Sequence, residues 1–226
     1  MPKRIASGNY IAIIGDIIGS KKLNKASRGR LQQRFEKLIA KINDKYSVLL
    51  PSKFSITSGD EFQGIITRGA SLPELLWEIE AVFGLHGCRV GIGYGRLFTP
   101  ILDFTPRMDG PALHHARAAI ENARRTASLG GMFNGFGELD IVLNSFAHVL
   151  WFQRSRWTEL QYRVATLLKE NISQSNVAEK LQVSRQSISK HASVAGWHTY
   201  QETERAWEEV LNVCVDERKS LSIKVR

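Results

Sequence analysis

The sequence predicts an α+β fold: a ferredoxin-like, palm-type sheet domain followed by a small all-helical module. Three observations carry that prediction. The N-terminal part alternates strand-like apolar runs with helix-periodic segments in the order β-α-β-β-α-β. From Trp157 onward the pattern is purely helical. With 226 residues the chain has room for one medium and one small domain, which we place at 1–150 and 151–226.

The first strand is the apolar run within Tyr10 to Ser20, YIAIIGDIIGS, which stops on a lone carboxylate, Asp16. A polar loop follows, Lys21 to Ala26, and then a helix from Ser27 with Leu31, Phe35, Leu38, Ile39 and Ile42 on one face. After Pro51, Phe54, Ile56 and Ser58 alternate with polar neighbours as a second strand. The tight turn Ser58 to Glu61 leads into a third strand through Phe62, Gly64 and Ile66. A second helix spans Leu72 to Phe83, with Pro73 in its first turn. The fourth strand, Cys88 to Arg96, carries three glycines, which mark a backbone that something approaches closely. A third helix runs from Pro111 to Thr126. Gly130 to Glu138 reads as a loop or hairpin, followed by a short amphipathic segment to about Arg156.

Composition narrows the function classes. Hydrophobic content of 43% with 23% charged residues is ordinary for a globular protein. The two cysteines, Cys88 and Cys214, fall in no metal or redox spacing, so a reduced, cytoplasmic setting is expected. No apolar run approaches the roughly 18 residues that span a bilayer, so no membrane association is expected. A formal charge of +9 favours a polyanionic partner, nucleic acid or nucleotide phosphate.

The topology makes strands one and two parallel with strand three between them, so Asp16 should face Asp60 across neighbouring strands. Two such carboxylates repel unless a cation sits between them, and Mg²⁺ held by carboxylates and substrate phosphate is the usual arrangement. The candidate metal ligands are Asp16, Asp60 and the backbone carbonyl of Ile17. Gly19 and Ser20, with Gly59 in the facing turn, are candidates for nucleotide phosphate, and basic Lys21 and Lys22 follow. Taken alone, Asp16 is also readable as a cap on the strand exit. Glu61 should point to the other face as an ordinary surface charge. His114, beside His115, is either a ligand handle or half of an exposed pair. No catalytic residue is assigned.

In the C-terminal part, SQSNVAEKLQVSRQSISKHASVAGW has the layout of a helix-turn-helix. Ala178 is the small residue where the helices cross, with Val177, Leu181 and Ile188 as anchors, Gln182 in the usual glycine position and Ser184 as N-cap. The second helix would expose Arg185, Gln186, Ser189 and Lys190, side chains suited to phosphates and base edges. The alternative is a helical hairpin used for packing or dimerisation. Trp197 and Tyr200 should close the small core, and a last helix spans Gln201 to Val213.

IAIIGDIIGS and ITSGDEFQG, with aspartates 44 positions apart, resemble the metal-binding pattern of class III nucleotidyl cyclases, and CRVGIGYGRL and MDGPALHHARAA resemble later segments of that superfamily. Over its whole length the chain is most similar to the SatD-like family, which joins a cyclase-like domain to a helix-turn-helix. Three positions depart from the cyclase pattern: His114 replaces an asparagine, Ala118 an arginine, with Arg117 adjacent, and Ile56 a purine-selecting lysine. Such losses weaken catalysis more than metal–phosphate binding.

Three functions follow as expectations. The first is a cytoplasmic homodimeric regulator that binds a nucleotide with Mg²⁺ and binds DNA through Arg185, Gln186, Ser189 and Lys190. The second is an active Mg²⁺-dependent nucleotidyl cyclase or nucleotidyltransferase. In the third, the larger domain is only a dimerising scaffold for a DNA-binding module.

Overall fold

The run that opens the sequence becomes the central strand of the sheet. In the computed structural model, which describes residues 8–20, 24–84, 87–126 and 131–215, β1 (Asn9–Ile17) is paired on both edges, with β3 (Glu61–Ile66) and β4 (Cys88–Arg96). A strand flanked on both edges and covered on both faces has no polar side to show, hence its unbroken apolar sequence. With β2 (Ser52–Ser58) and β5 (Met132–Asn134) the order is β2-β3-β1-β4-β5. The pairs β2–β3, β3–β1 and β1–β4 are antiparallel, the arrangement expected of β-α-β-β-α-β, and β5 adds a parallel edge. Met132–Asn134 lies in the stretch read as loop or hairpin, and three residues are too few to carry a periodic signal.

Alternation along β1 divides the core. Ile11, Ile13 and Ile17 face α1 (Lys25–Lys45) and α2 (Leu72–Phe83), whereas Ala12 and Ile14 face α3 (Pro111–Thr126) through Ala112, Ala116 and Ile120. The glycines of β4 let α3 lie directly on the strand. A Cβ on Gly93 would stand 2.1 Å from the Ala116 nitrogen, and one on Gly91 2.4 Å from the Ala116 carbonyl oxygen. That close seat brings the C-terminal end of α3 over the C-terminal end of β1. Helix α1 starts at Lys25, ahead of Ser27, because the Asn24 side chain caps it by accepting from the Ser27 amide at 2.9 Å.

Among the described residues five helices follow: α4 (Leu139–Ser155), α5 (Glu159–Lys169), α6 (Gln174–Leu181), α7 (Arg185–Val194) and α8 (Trp197–Val215). Their core is continuous with that of the sheet. Trp77 of α2 stacks on Tyr162 of α5 at 5.3 Å and meets Tyr200 of α8 edge-on at 5.8 Å. Arg154 of α4 binds both oxygens of Glu80 at 2.9 and 2.7 Å and donates to the Tyr200 hydroxyl at 2.5 Å, all three being buried. The expected boundary at 150/151 falls inside α4, and Trp197 and Tyr200 belong to this shared core rather than to a small separate one. Among the described residues no helix is long and apolar enough to cross a membrane.

Candidate functional site

Asp16 stands directly opposite Glu61 on β3 and Arg89 on β4. Opposite residues share a face of the sheet, so all three meet beneath the end of α3. Arg124 of α3 places Nε 3.2 Å from Asp16 Oδ2 and Nη2 3.5 Å from Glu61 Oε2. Arg89 Nη1 is 3.6 Å from Asp16 Oδ2. Arg117, about two turns before Arg124, grips both Glu61 oxygens at 2.6 and 2.8 Å and holds that carboxyl below the usual glutamate range. Glu61 is therefore no ordinary surface charge. Gly59 and Asp60 form the turn itself, so β3 begins at Glu61, and Glu61 rather than Asp60 occupies the position across from Asp16.

Asp60 still reaches the same place. Its carbonyl accepts from the Ile17 amide at 2.9 Å, and its carboxylate accepts from the Ser20 hydroxyl at 2.5 Å. Asp16, Ile17, Gly19, Ser20 and Asp60 line one cleft of about 440 Å³, and Gly59 borders an adjoining hollow of about 230 Å³. Gly19 and Gly59 have φ of +73° and +56°, the left-handed conformations that these turns require. Gly19 sits in the turn after β1 and Ser20 has 3-10 conformation, both ahead of the first residue of α1, Lys25, and so neither is at the N-terminus of α1. Lys21 and Lys22 lie outside the described residues. His114 lies apart from the cleft: its Nε2 is 2.7 Å from Asp109 Oδ1, and it precedes Arg124 by ten residues, about 15 Å along the α3 axis.

Among the described residues no group of three or more His, Cys, Asp and Glu side chains forms a ready cation cage. Two buried atoms in the cleft are nonetheless unsatisfied: Asp16 Oδ1 has no donor, and Arg89 Nε has no acceptor. Such orphans on paired strands fit a small hard cation arriving together with a phosphate. Asp16 and Asp60 would supply carboxylate oxygens and Ile17 its carbonyl, while Arg89 and Arg124 would face the phosphate. Burial pushes the Cys88 thiol well up, and as the neighbour of Arg89 on β4 it faces the other side of the sheet, in the core with Ile17.

Sequence reading missed Arg89 and Arg124. Arg117 and Arg124 are seven residues apart on one helix face, a signal visible in the sequence once α3 is known to cover the end of β1. Arg89 emerges only from the β1–β4 register.

A second surface lies on α6 and α7. Helix α6 ends on Gln182 at φ 55°, ψ 42°, and the Val183 amide donates back to the Ala178 carbonyl at 3.0 Å. Gln182 thus adopts the conformation a glycine would take. Ser184 caps α7 by accepting from the Ser187 amide at 3.1 Å. Val177, Ala178, Ile188 and Ala192 are buried between the helices, and Arg185, Gln186, Ser189 and Lys190 are exposed.

The sequence profile of the SatD family matches residues 10–211. The chain belongs to the SatD family. No curated protein matches it. Among solved structures, two of a bacterial light-regulated adenylyl cyclase are each 15% identical to this SatD-family chain at a TM-score of 0.38, covering 52% of it. The chain spans 41% of the first and 71% of the second. A regulator of polyketide synthase expression from Bifidobacterium adolescentis is 15% identical at a TM-score of 0.26, covering 94% of the SatD-family chain and 83% of its own. Likenesses this distant say nothing of what the SatD-family protein does.

Proposed function

We propose that this SatD-family protein is a cytoplasmic DNA-binding regulator whose sheet domain binds a nucleotide with Mg²⁺. In this reading α6 and α7 form a helix-turn-helix, and α7 enters the major groove of DNA. The carrying observation is that α7 buries Ile188 and Ala192 while turning Arg185, Gln186, Ser189 and Lys190 to solvent. Arginine and lysine suit phosphate and guanine, glutamine suits adenine, and serine suits either. The formal charge of +9 favours the same polyanion. The nucleotide half of the reading is supported by the unsatisfied Asp16 Oδ1 and Arg89 Nε beside Asp60 and Ser20. Bound there, Mg²⁺ would neutralise phosphate charge, and Asp16 and Asp60 would orient it. A homodimer would engage two half-sites, supplying affinity that one small module lacks.

The test is a titration of duplex DNA with wild type, Arg185→Ala and Lys190→Ala at several salt concentrations. Each substitution should weaken binding, and removing one phosphate-neutralising cation should reduce the slope of log K against log salt by about 1. Unchanged affinity and slope in both variants would remove the DNA reading.

A further inference from the structure

Helix α4 is apolar on two opposite sides. Leu143, Ala147 and Leu150 face the core, yet Ile141, Val149 and Phe152 are 74%, 57% and 59% exposed, and Val142 is 37% exposed. At 100° per residue these four, with Ser145 among them, form one stripe on the solvent side. Thr203 of α8 and Phe146 complete a groove of about 510 Å³ along it, with no charged residue in its lining. A helix that is apolar on its solvent side as well as its core side is ordinarily covered, and a monomer rarely exposes a contiguous apolar patch larger than a few hundred square ångströms.

We infer that the α4 face is a homodimer interface, in which α4 of a second copy packs antiparallel across a two-fold axis at Ser145. The stripe's own pattern selects that occupant. Ile141, Ser145 and Val149 form a ridge of four-residue steps that is symmetric about Ser145. A two-fold axis there sets Ser145 against its own copy and Ile141 of one chain against Val149 of the other, so this ridge is complementary to itself, as an isologous interface requires, while Val142 and Phe152 would meet the flanking His148 and Glu138 of the other copy. The small residue falls at the crossing point, where helix backbones come closest, and larger ones fill either side. The uncharged lining holds no group that would select a charged partner.

Size is consistent with a stable dimer. Seventeen residues make α4 about 25 Å long, and the adjoining face of α8 adds Thr199 and Ala206, one turn either side of Thr203. Together they offer a surface of the order of the ~800 Å² per partner that stable interfaces bury. Gln153, near the end of α4, donates to the Ala195 and Gly196 carbonyls at 3.0 and 3.1 Å, so the base of α7 is fixed to the helix that would carry the axis. Pairing through α4 requires neither DNA nor an occupied cleft, and its readouts are the mass of the particle and the register of the two helices.

Sedimentation equilibrium of the full chain at micromolar concentration should give about 51 kDa, twice the 25.4 kDa of one chain. Ile141→Glu should give a monomer with unchanged circular dichroism. A monomeric wild type, or an Ile141→Glu variant that keeps the dimer mass, overturns the proposal. Cross-linking tests the axis independently of that variant's folding. Cα atoms facing each other across helices with axes ~8–10 Å apart are separated by roughly 3.4–5.4 Å, which overlaps the ~4.4–6.8 Å span of a disulfide. In a Cys214→Ser background, Ser145→Cys should therefore oxidise to a covalent dimer, as should Ile141→Cys with Val149→Cys, whereas Ile141→Cys alone should not. Failure of Ser145→Cys to cross-link, or efficient self-linking of Ile141→Cys, overturns the proposed axis.

Discussion

Arg117 and Glu61 form a two-point ion pair, at 2.6 and 2.8 Å, that ties the middle of α3 to the first residue of β3. The planar guanidinium matches both carboxylate oxygens, a geometry that lysine cannot reproduce. The pair is half-exposed on its arginine side, so its removal should cost about 1 kcal/mol rather than the larger figure of a buried pair. Arg117 holds the Glu61 carboxyl below the ordinary range, so the folded protein binds that proton less readily than the unfolded chain. The stabilisation is then fully present above the unfolded value of about 4.3 and is lost as pH falls through the lower folded value. Urea melts of wild type and Arg117→Gln should differ by that amount at pH 7 and converge in acid. An equal difference at both pH values would refute the assignment.

The same pair marks where sequence reading reached its limit. The sheet order was legible because each strand and helix carried its own period, and the limits of Leu72–Phe83, Cys88–Arg96 and Pro111–Thr126 agree residue for residue with the structure. Asp16 and Asp60 were legible as neighbours, since strand order alone puts their chain segments together. Which carboxylate faces Asp16 depends on a one-residue difference in where the turn ends, and a period of two exchanges faces with every residue. Arg89 and Arg124 act across strands and layers, information that no local pattern holds. Likewise the two apolar sides of α4 blur its helical period, so its sequence shows only a short amphipathic segment.

Arg154 should be the most sensitive residue in the junction between the sheet domain and the C-terminal helices. It is 5% exposed and satisfies Glu80 and Tyr200 together. Arg154→Met leaves Glu80 buried without its counterion, which should cost about 3–5 kcal/mol. Burial pushes the Glu80 carboxyl up, with Glu204 adding to it, and Arg154 is the group that pulls it back. In the variant the folded value rises further above the unfolded one, so protonation favours the folded state. The deficit against wild type should accordingly shrink as pH is lowered toward 4 and grow as pH rises. Adding Glu80→Gln should recover part of the loss at neutral pH. A deficit under about 1 kcal/mol, or no recovery in the double variant, would show that the junction does not depend on this pair.

Asp16→Asn separates a ligand cleft from an internally balanced ion cluster. If the unsatisfied Asp16 Oδ1 awaits a cation with phosphate, nucleotides should raise the melting temperature only when Mg²⁺ is present. At a hundredfold excess over Kd the stabilisation is about 2.7 kcal/mol, which at about 2–4 °C per kcal/mol predicts a rise of roughly 5–10 °C. Asparagine is nearly isosteric but neutral, so Asp16→Asn should abolish that rise, and Asp60→Asn should reduce it. Each variant is compared with its own ligand-free melt, because Asp16→Asn also weakens the interactions with Arg89 and Arg124 at 3.6 and 3.2 Å. A rise that persists in both variants would place the nucleotide elsewhere on the protein. No rise in wild type with any common nucleotide would mean that Arg89, Arg117 and Arg124 are simply the structural counterions of Asp16 and Glu61, which would leave α7 as the surface through which the protein acts.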